Sequence, residues 1–238
     1  MLLLFDIDGT LLLRASESHR RALLDALTLV YGLEEPGSQA VAAAGRTDTQ
    51  IARDIALACG LPAGRFDASL DEFQLACAAA FERHCPPSLE SHLAPGITDA
   101  LEALSLDHGV KLSLLTGNYE PIARLKLERA GIGHHFPSGQ GAFGSDAEQR
   151  ELLGPIARER AAAPGPPYRR ALTTIIGDTP LDIACARADG LRVIAVATGP
   201  YDQAALTHAD TVIANATELQ AALSRLAVIR RRRQRISR

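Results

Sequence analysis

Lysine is almost absent from this chain: Lys111 and Lys126 stand against 23 arginines. Where arginine is the habit, a retained lysine points to a position that wants a compact ammonium. Excess positive charge is missing as well. The formal net charge is −3, which excludes a general affinity for nucleic acid or for an anionic membrane. No apolar run approaches the length of a membrane span. Leu2 to Phe5 is too short for a signal-peptide core and has no basic region before it, so the expected location is cytoplasmic. The four cysteines (Cys59, Cys77, Cys85, Cys185) contain no CxxC pair and no histidine at metal-ligand spacing, and read as free thiols. There is no internal repeat and no heptad pattern, which leaves monomer or homodimer open.

What is present is ordinary for a globular protein. Apolar residues make up 47% and charged residues 22% of 238 residues, enough for one good core and a smaller appended unit. Leu2 to Phe5, Lys111 to Leu115, Thr173 to Ile176 and Val193 to Val196 read as buried strands, with a weaker one at Thr211 to Ile213. Helical patterns lie between them at Gly96 to Leu106, Pro121 to Ala130, Arg150 to Ala163 and Pro180 to Ala188, and a last one at Thr217 to Leu226. Strand alternating with helix implies an α/β fold, a doubly wound parallel sheet whose ligands sit beyond the carboxyl ends of the strands.

The segment from residue 15 to 92 breaks that rhythm. It reads as helices at Ser16 to Tyr31, Thr47 to Cys59 and Ser69 to His84. Leu23, Ala26, Leu27 and Val30 give the first of these a one-sided apolar stripe. The expected organisation is an α/β core of residues 1–14 and 93–238 with an inserted helical unit of 15–92. The last residues, 229–238, read as a frayed basic tail, with six arginines from Arg230 to Arg238.

Three predicted strand ends offer polar groups to one place. The first supplies Asp6, Asp8 and Thr10 from DIDGT, the second Thr116, Gly117 and Asn118 from LLTGN, and the third Asp178 and Asp182 from GDTPLD. Two carboxylates one residue apart repel each other at a strand end unless something positive lies between them. If the strand geometry continues, Asp6 and Asp8 point the same way.

In these motifs the sequence resembles the haloacid dehalogenase-like hydrolases, and among them the phosphoglycolate-phosphatase-like branch with a helical cap. The resemblance implies a Rossmann-like core, Mg²⁺ as cofactor and hydrolysis of a small phosphomonoester through an aspartyl-phosphate. It implies Asp6 as nucleophile, Asp8 as general acid and then base, and Thr116 as a ligand for a phosphoryl oxygen. The metal would be held by Asp6, the backbone carbonyl of Asp8, and Asp178, with Asp182 as a further carboxylate beside it. Such chemistry needs a cation, because a carboxylate attacks an anionic phosphoryl group only once the repulsion is neutralised. Mg²⁺ takes hard oxygen ligands of this kind. Gly9, Thr10, Gly117 and Asn118 are expected to line the phosphate, Gly9 by letting free amides approach it.

Family members also carry a cation beside the nucleophile, in a Lys-Pro pair before the last motif. Here that region reads GAFGSDAEQRELL. Lys126 is the first choice for the role and Arg150 the second. Arg46, at a glycine turn into a helix that Thr47 or Asp48 caps, is expected to reach the far end of the substrate. His19 and His84 read as ordinary helix-surface residues without a role. Asp8 argues against dehalogenation, and the absence of lysine from 15–92 against phosphonoacetaldehyde cleavage. The expected partner is a small phosphorylated metabolite such as phosphoglycolate, a sugar phosphate or a nucleotide, with no specific nucleic acid and no membrane. The alternatives are a sugar-phosphate mutase of the same fold and a scaffold that binds phosphate or a partner without turnover.

Overall fold

The computed structural model describes residues 1–38 and 41–226, the side chain of Ser38 excepted; the basic tail expected at 229–238 lies outside them. Five parallel strands, β1 (Leu2–Phe5), β2 (Lys111–Leu114), β3 (Thr173–Gly177), β4 (Arg192–Val196) and β5 (Thr211–Ile213), form one sheet in the order β2-β1-β3-β4-β5. β1 is an interior strand, between β2 and β3, and its residues are buried on both sides, which is why LLLF carries no polar residue. Side chains alternate across it: Leu3 and Phe5 enter one core, Leu2 and Leu4 the other. Phe5 is in register with Leu114 on one side and Ile176 on the other. Asp6, Thr116 and Asp178 therefore emerge at neighbouring strand ends.

Between β1 and β2 the chain runs through α1 (Ser16–Tyr31), α2 (Asp48–Ala58), α3 (Ala63–Ala68), α4 (Leu70–His84) and α5 (Ile97–Ser105). Helix α1 buries Ala22, Leu23, Ala26, Leu27 and Tyr31 and ends at Gly32, whose left-handed φ of 68° lets its N–H close on the Thr28 carbonyl. Thr47 caps α2, its hydroxyl accepting from the Gln50 N–H at 3.2 Å. The short α3 breaks into a stretch that the sequence pattern leaves as a connection. It contributes one buried residue, Phe66, which stacks on Tyr31 with centroids 5.3 Å apart.

After β2 come α6 (Glu120–Arg129), α7 (Leu153–Ala162) and α8 (Pro180–Ala188), and the described chain ends in a helix over 219–226. The helix expected from Arg150 begins as a 3₁₀ turn, Arg150–Leu152, and becomes α-helical only at Leu153. Among the described residues no helix is long and apolar enough to cross a membrane.

Candidate active site

A cavity of about 610 Å³ opens where the strand ends of β1, β2 and β3 meet the helical insert. Asp6 and Asp8 both line it, with Gly9, Thr116, Gly117, Asn118, Arg150 and Asp178. The backbone holds Asp6 in line with β3, its N–H donating to the Ile176 carbonyl at 2.9 Å. One Asp6 oxygen accepts from the Ile7 N–H at 2.8 Å, and the other lies 2.9 Å from a guanidinium nitrogen of Arg150. The same nitrogen donates to Asp182. Asp182 also forms a capping box at the start of α8, its second oxygen accepting the Thr179 N–H at 3.0 Å and the Thr179 hydroxyl at 2.7 Å.

Asp178 stands between two glycines. Gly9 adopts φ +85°, and a Cβ on either Gly9 or Gly199 would overlap the Asp178 carboxylate. Thr10, expected at the phosphate, instead turns its hydroxyl to Asp178 at 3.0 Å. Asp6, Asp178 and Asp182 each offer an oxygen within 4.8 Å of the others, and all three are buried. Three buried carboxylates facing one arginine repel one another. Burial pushes the Asp6 carboxyl up to about 6, against the pull of Arg150 and with the push of Asp182. Burial, Asp182 and Asp6 push Asp178 up to about 8. Such a cluster favours either protons or a divalent cation.

Asp8 has the opposite environment. Burial works against its charged form, but Lys126, His19 and Asn118 overcome this and hold the carboxyl below the usual range. The Lys126 ammonium donates to both Asp8 oxygens, at 2.6 and 2.8 Å, and to the Asn118 carbonyl oxygen at 2.8 Å. The Asn118 amide donates to Asp8 at 2.9 Å. Lys126 is fully buried and also lies 3.1 Å from the His19 imidazole, whose other nitrogen meets Asp48 at 3.0 Å. Asp48 accepts the Tyr119 N–H at 2.8 Å and donates its own N–H to the Gly117 carbonyl at 2.8 Å.

The two candidate cations thus divide: Arg150 lies against Asp6 and Lys126 against Asp8. Thr116 is buried at the cavity wall, its N–H donating to the Ala142 carbonyl at 3.0 Å. Gly117 packs so tightly on the Arg46 carbonyl that a Cβ there would overlap it. Arg46 itself, expected to reach out to the substrate, pairs with Asp54 at 2.6 Å and donates to the Ala42 carbonyl at 3.2 Å. His84, expected at the surface, is half-buried and bonded to Asp25 at 2.6 Å.

Four participants escape the sequence reading: His19, Asp48, Thr198 and Gly199. His19 is buried rather than exposed, because Lys126 and Asp48 enclose it. Thr198 donates to the Gly9 carbonyl at 2.6 Å. The Ala-Thr-Gly that closes β4 carried the signal for the last two, since it ends a strand beside the Asp178 strand.

Residues 3–187 match the model of the haloacid dehalogenase-like hydrolase family, and residues 154–222 match a HAD-hydrolase-like model. The chain belongs to the haloacid dehalogenase-like hydrolase family. Among solved structures it is similar to a haloacid dehalogenase-like family protein from Streptococcus pneumoniae, with 22% identity and a TM-score of 0.58 over 93% of this chain and 97% of that one. It is similar to CbbY from Rhodobacter sphaeroides in complex with phosphate, with 20% identity and a TM-score of 0.62 over 92% and 95%. It is also similar to β-phosphoglucomutase from Clostridium difficile, with 13% identity and a TM-score of 0.66 over 96% and 97%. No curated protein matches the chain.

Proposed function

We propose that this protein is a Mg²⁺-dependent phosphatase that hydrolyses a small phosphomonoester through an aspartyl-phosphate on Asp6. The observation that carries the reading is geometric: Asp6 and Asp8 face one cavity, Asp6 against Arg150 and clustered with Asp178 and Asp182, Asp8 bonded to Lys126 and Asn118. Two carboxylates facing one cavity, each with its own cation, can divide the labour of nucleophile and proton carrier.

The donor set fits a magnesium ion: hard carboxylate oxygens of Asp6 and Asp178, clustered where Gly9 and Gly199 leave room for the Asp178 carboxylate, to which the family resemblance would add the backbone carbonyl of Asp8. Asp182 belongs to the same cluster, and we give it a second duty, since its oxygens hold Arg150 and the α8 cap. When bound, the metal neutralises charge between the phosphate and the carboxylates. Arg150 lies against the nucleophile and is the cation expected there, in place of Lys126. Its buried Nε has no partner among the described residues, which leaves a donor for an anionic oxygen.

In the first step an Asp6 oxygen bonds to phosphorus, the ester P–O bond breaks, and the leaving oxygen takes a proton from Asp8. Asp8 is ionised in its present surroundings, so it must first gain that proton. The arriving phosphate raises its pKa, and the proton comes from solvent or with the substrate's phosphate monoanion, while Lys126 and Asn118 hold the carboxyl in place. In the second step water attacks phosphorus, Asp8 takes the water's proton, and the Asp6–phosphorus bond breaks to release phosphate. Thr116, Gly117 and Asn118 line the phosphate's side of the cavity, and the insert formed by α1 to α4 serves as a cap over it.

Turnover of p-nitrophenyl phosphate and a panel of phosphate esters tests this reading. Magnesium-dependent release of phosphate is expected, abolished by chelator and restored by Mg²⁺. Binding of phosphate without turnover of any ester would instead identify a non-catalytic scaffold. Phosphate migration within a sugar phosphate, without net release, would identify a mutase.

A further inference from the structure

The cavity is larger than a phosphate requires, and its two ends differ in kind. The floor carries the carboxylates, Arg150 and the polar strand ends. The opposite wall comes from the insert and its entry: Leu13, Leu23 and Leu24, Val41, and Ile51 and Ile55 from α2. The lining of this cavity of about 610 Å³ thus joins six aliphatic side chains, from the insert and the segments leading into it, to the charged strand ends.

The charged groups between floor and wall are already engaged. His19 is held by Asp48 and Lys126, Asp48 by His19 and the Tyr119 N–H, and Arg46 by Asp54 and the Ala42 carbonyl. A polyhydroxylated leaving group needs several unengaged donors and acceptors around its carbons. Against an aliphatic wall its hydroxyls lose water and gain nothing in return. Of the remaining polar lining residues, Arg14, Ser16, Glu17 and Arg20 are exposed at the cavity's edge, Arg20 donating to the Gly37 carbonyl, while Thr179 is bonded to Asp182 and Thr198 to the Gly9 carbonyl.

We infer that the substrate is a phosphomonoester whose alcohol has an apolar body of several carbons next to the ester, an alkyl or aryl phosphate rather than a sugar phosphate. This rests on the phosphatase reading and narrows it to a substrate class.

The test is a series of n-alkyl monophosphates from ethyl to octyl, set beside glucose 6-phosphate. The leaving alcohols along the series have similar acidity, so a change in kcat/KM reports burial rather than reactivity. Each added methylene should raise kcat/KM about threefold to fourfold until the cavity is full. Hexyl phosphate should exceed glucose 6-phosphate by about tenfold or more, from several such increments. Calorimetric Kd values for n-alkylphosphonates, which need no turnover, should fall with the same slope. A chain-length gain in phosphonate binding without hydrolysis of any ester keeps the apolar site and ends the phosphatase reading. Hydrolysis that ignores chain length, a preference for glucose 6-phosphate, or phosphonates that bind flatly or not at all overturns the present inference.

Discussion

Asp6 and Asp8 leave the same strand one residue apart, yet their surroundings are built from different parts of the molecule. Around Asp6 everything comes from the core: Arg150 from the turn before α7, Asp182 from the cap of α8, and Asp178 from the end of β3. Around Asp8 the core supplies Lys126 and Asn118, but the insert supplies His19 and, behind it, Asp48. The first environment crowds acids around one guanidinium and raises the carboxyl pKa. The second surrounds one acid with cationic and amide donors and lowers it. The Asp6 environment is complete within the core, whereas the Asp8 environment depends on how the insert sits.

The comparison breaks first at Asp6. Asp6→Asn should lower kcat by about a thousandfold or more, the scale seen when a nucleophile is removed, while the circular dichroism spectrum stays unchanged. Arg150→Ala comes next. It leaves Asp6 and Asp182 buried without their cation, and losing one partner of a buried pair costs about 3–5 kcal/mol. In a chain of this size that is a fall of about 10 °C in Tm, readable by calorimetry.

Lys126→Met strikes the other carboxylate. Asp8 is partly exposed, with a side-chain accessibility of 32%, so the effect on Tm should be smaller than at Arg150. The informative readout is the pH dependence of kcat/KM. Its alkaline limb should move to higher pH, because Asp8, the acid of the first step, loses the charge that depresses its pKa, and kcat should fall about tenfold or more, the scale of a positioned proton carrier.

The smallest effect expected is on metal-linked stability. Without metal, Asp6 and Asp178 hold protons more tightly folded than unfolded, with folded values of about 6 and about 8 against about 4 in the unfolded chain. Their contribution is complete below about pH 4 and is lost as pH rises through the folded values. Mg²⁺ relieves that loss, so its stabilisation in thermal melts should be a few degrees larger at pH 8 than at pH 5. Asp8 works in the other direction, contributing stability above about pH 4 that fades as pH falls through its depressed value.

Much of this was legible in the residues. The buried strand LLLF, the alternation of strand and helix, and the three motifs DIDGT, LLTGN and GDTPLD gave the sheet and the floor of the cavity, because strand ends in one parallel sheet must be neighbours. Legibility failed wherever a role depends on a partner distant in sequence. His19 looks like any helix histidine until Lys126, 107 residues away, packs against it. Arg46 looks like a free fork until Asp54, one helical face further on, claims it. Periodicity missed α3 because six residues with one buried side chain leave no stripe to read. Both Lys126 and Arg150 were recognisable as candidates. Only the fold could divide them, setting Arg150 against Asp6 and Lys126 against Asp8.

The covalent step on Asp6 is the centre of the account. Rapid quenching of the protein during turnover of a phosphate ester with Mg²⁺, followed by borohydride reduction and peptide mass spectrometry, tests it most directly. An acyl phosphate at Asp6 is reduced to homoserine, so homoserine is expected at position 6 and at no other aspartate. Steady turnover with Asp6 unmodified, or homoserine at Asp8 or Asp178 instead, would contradict the account.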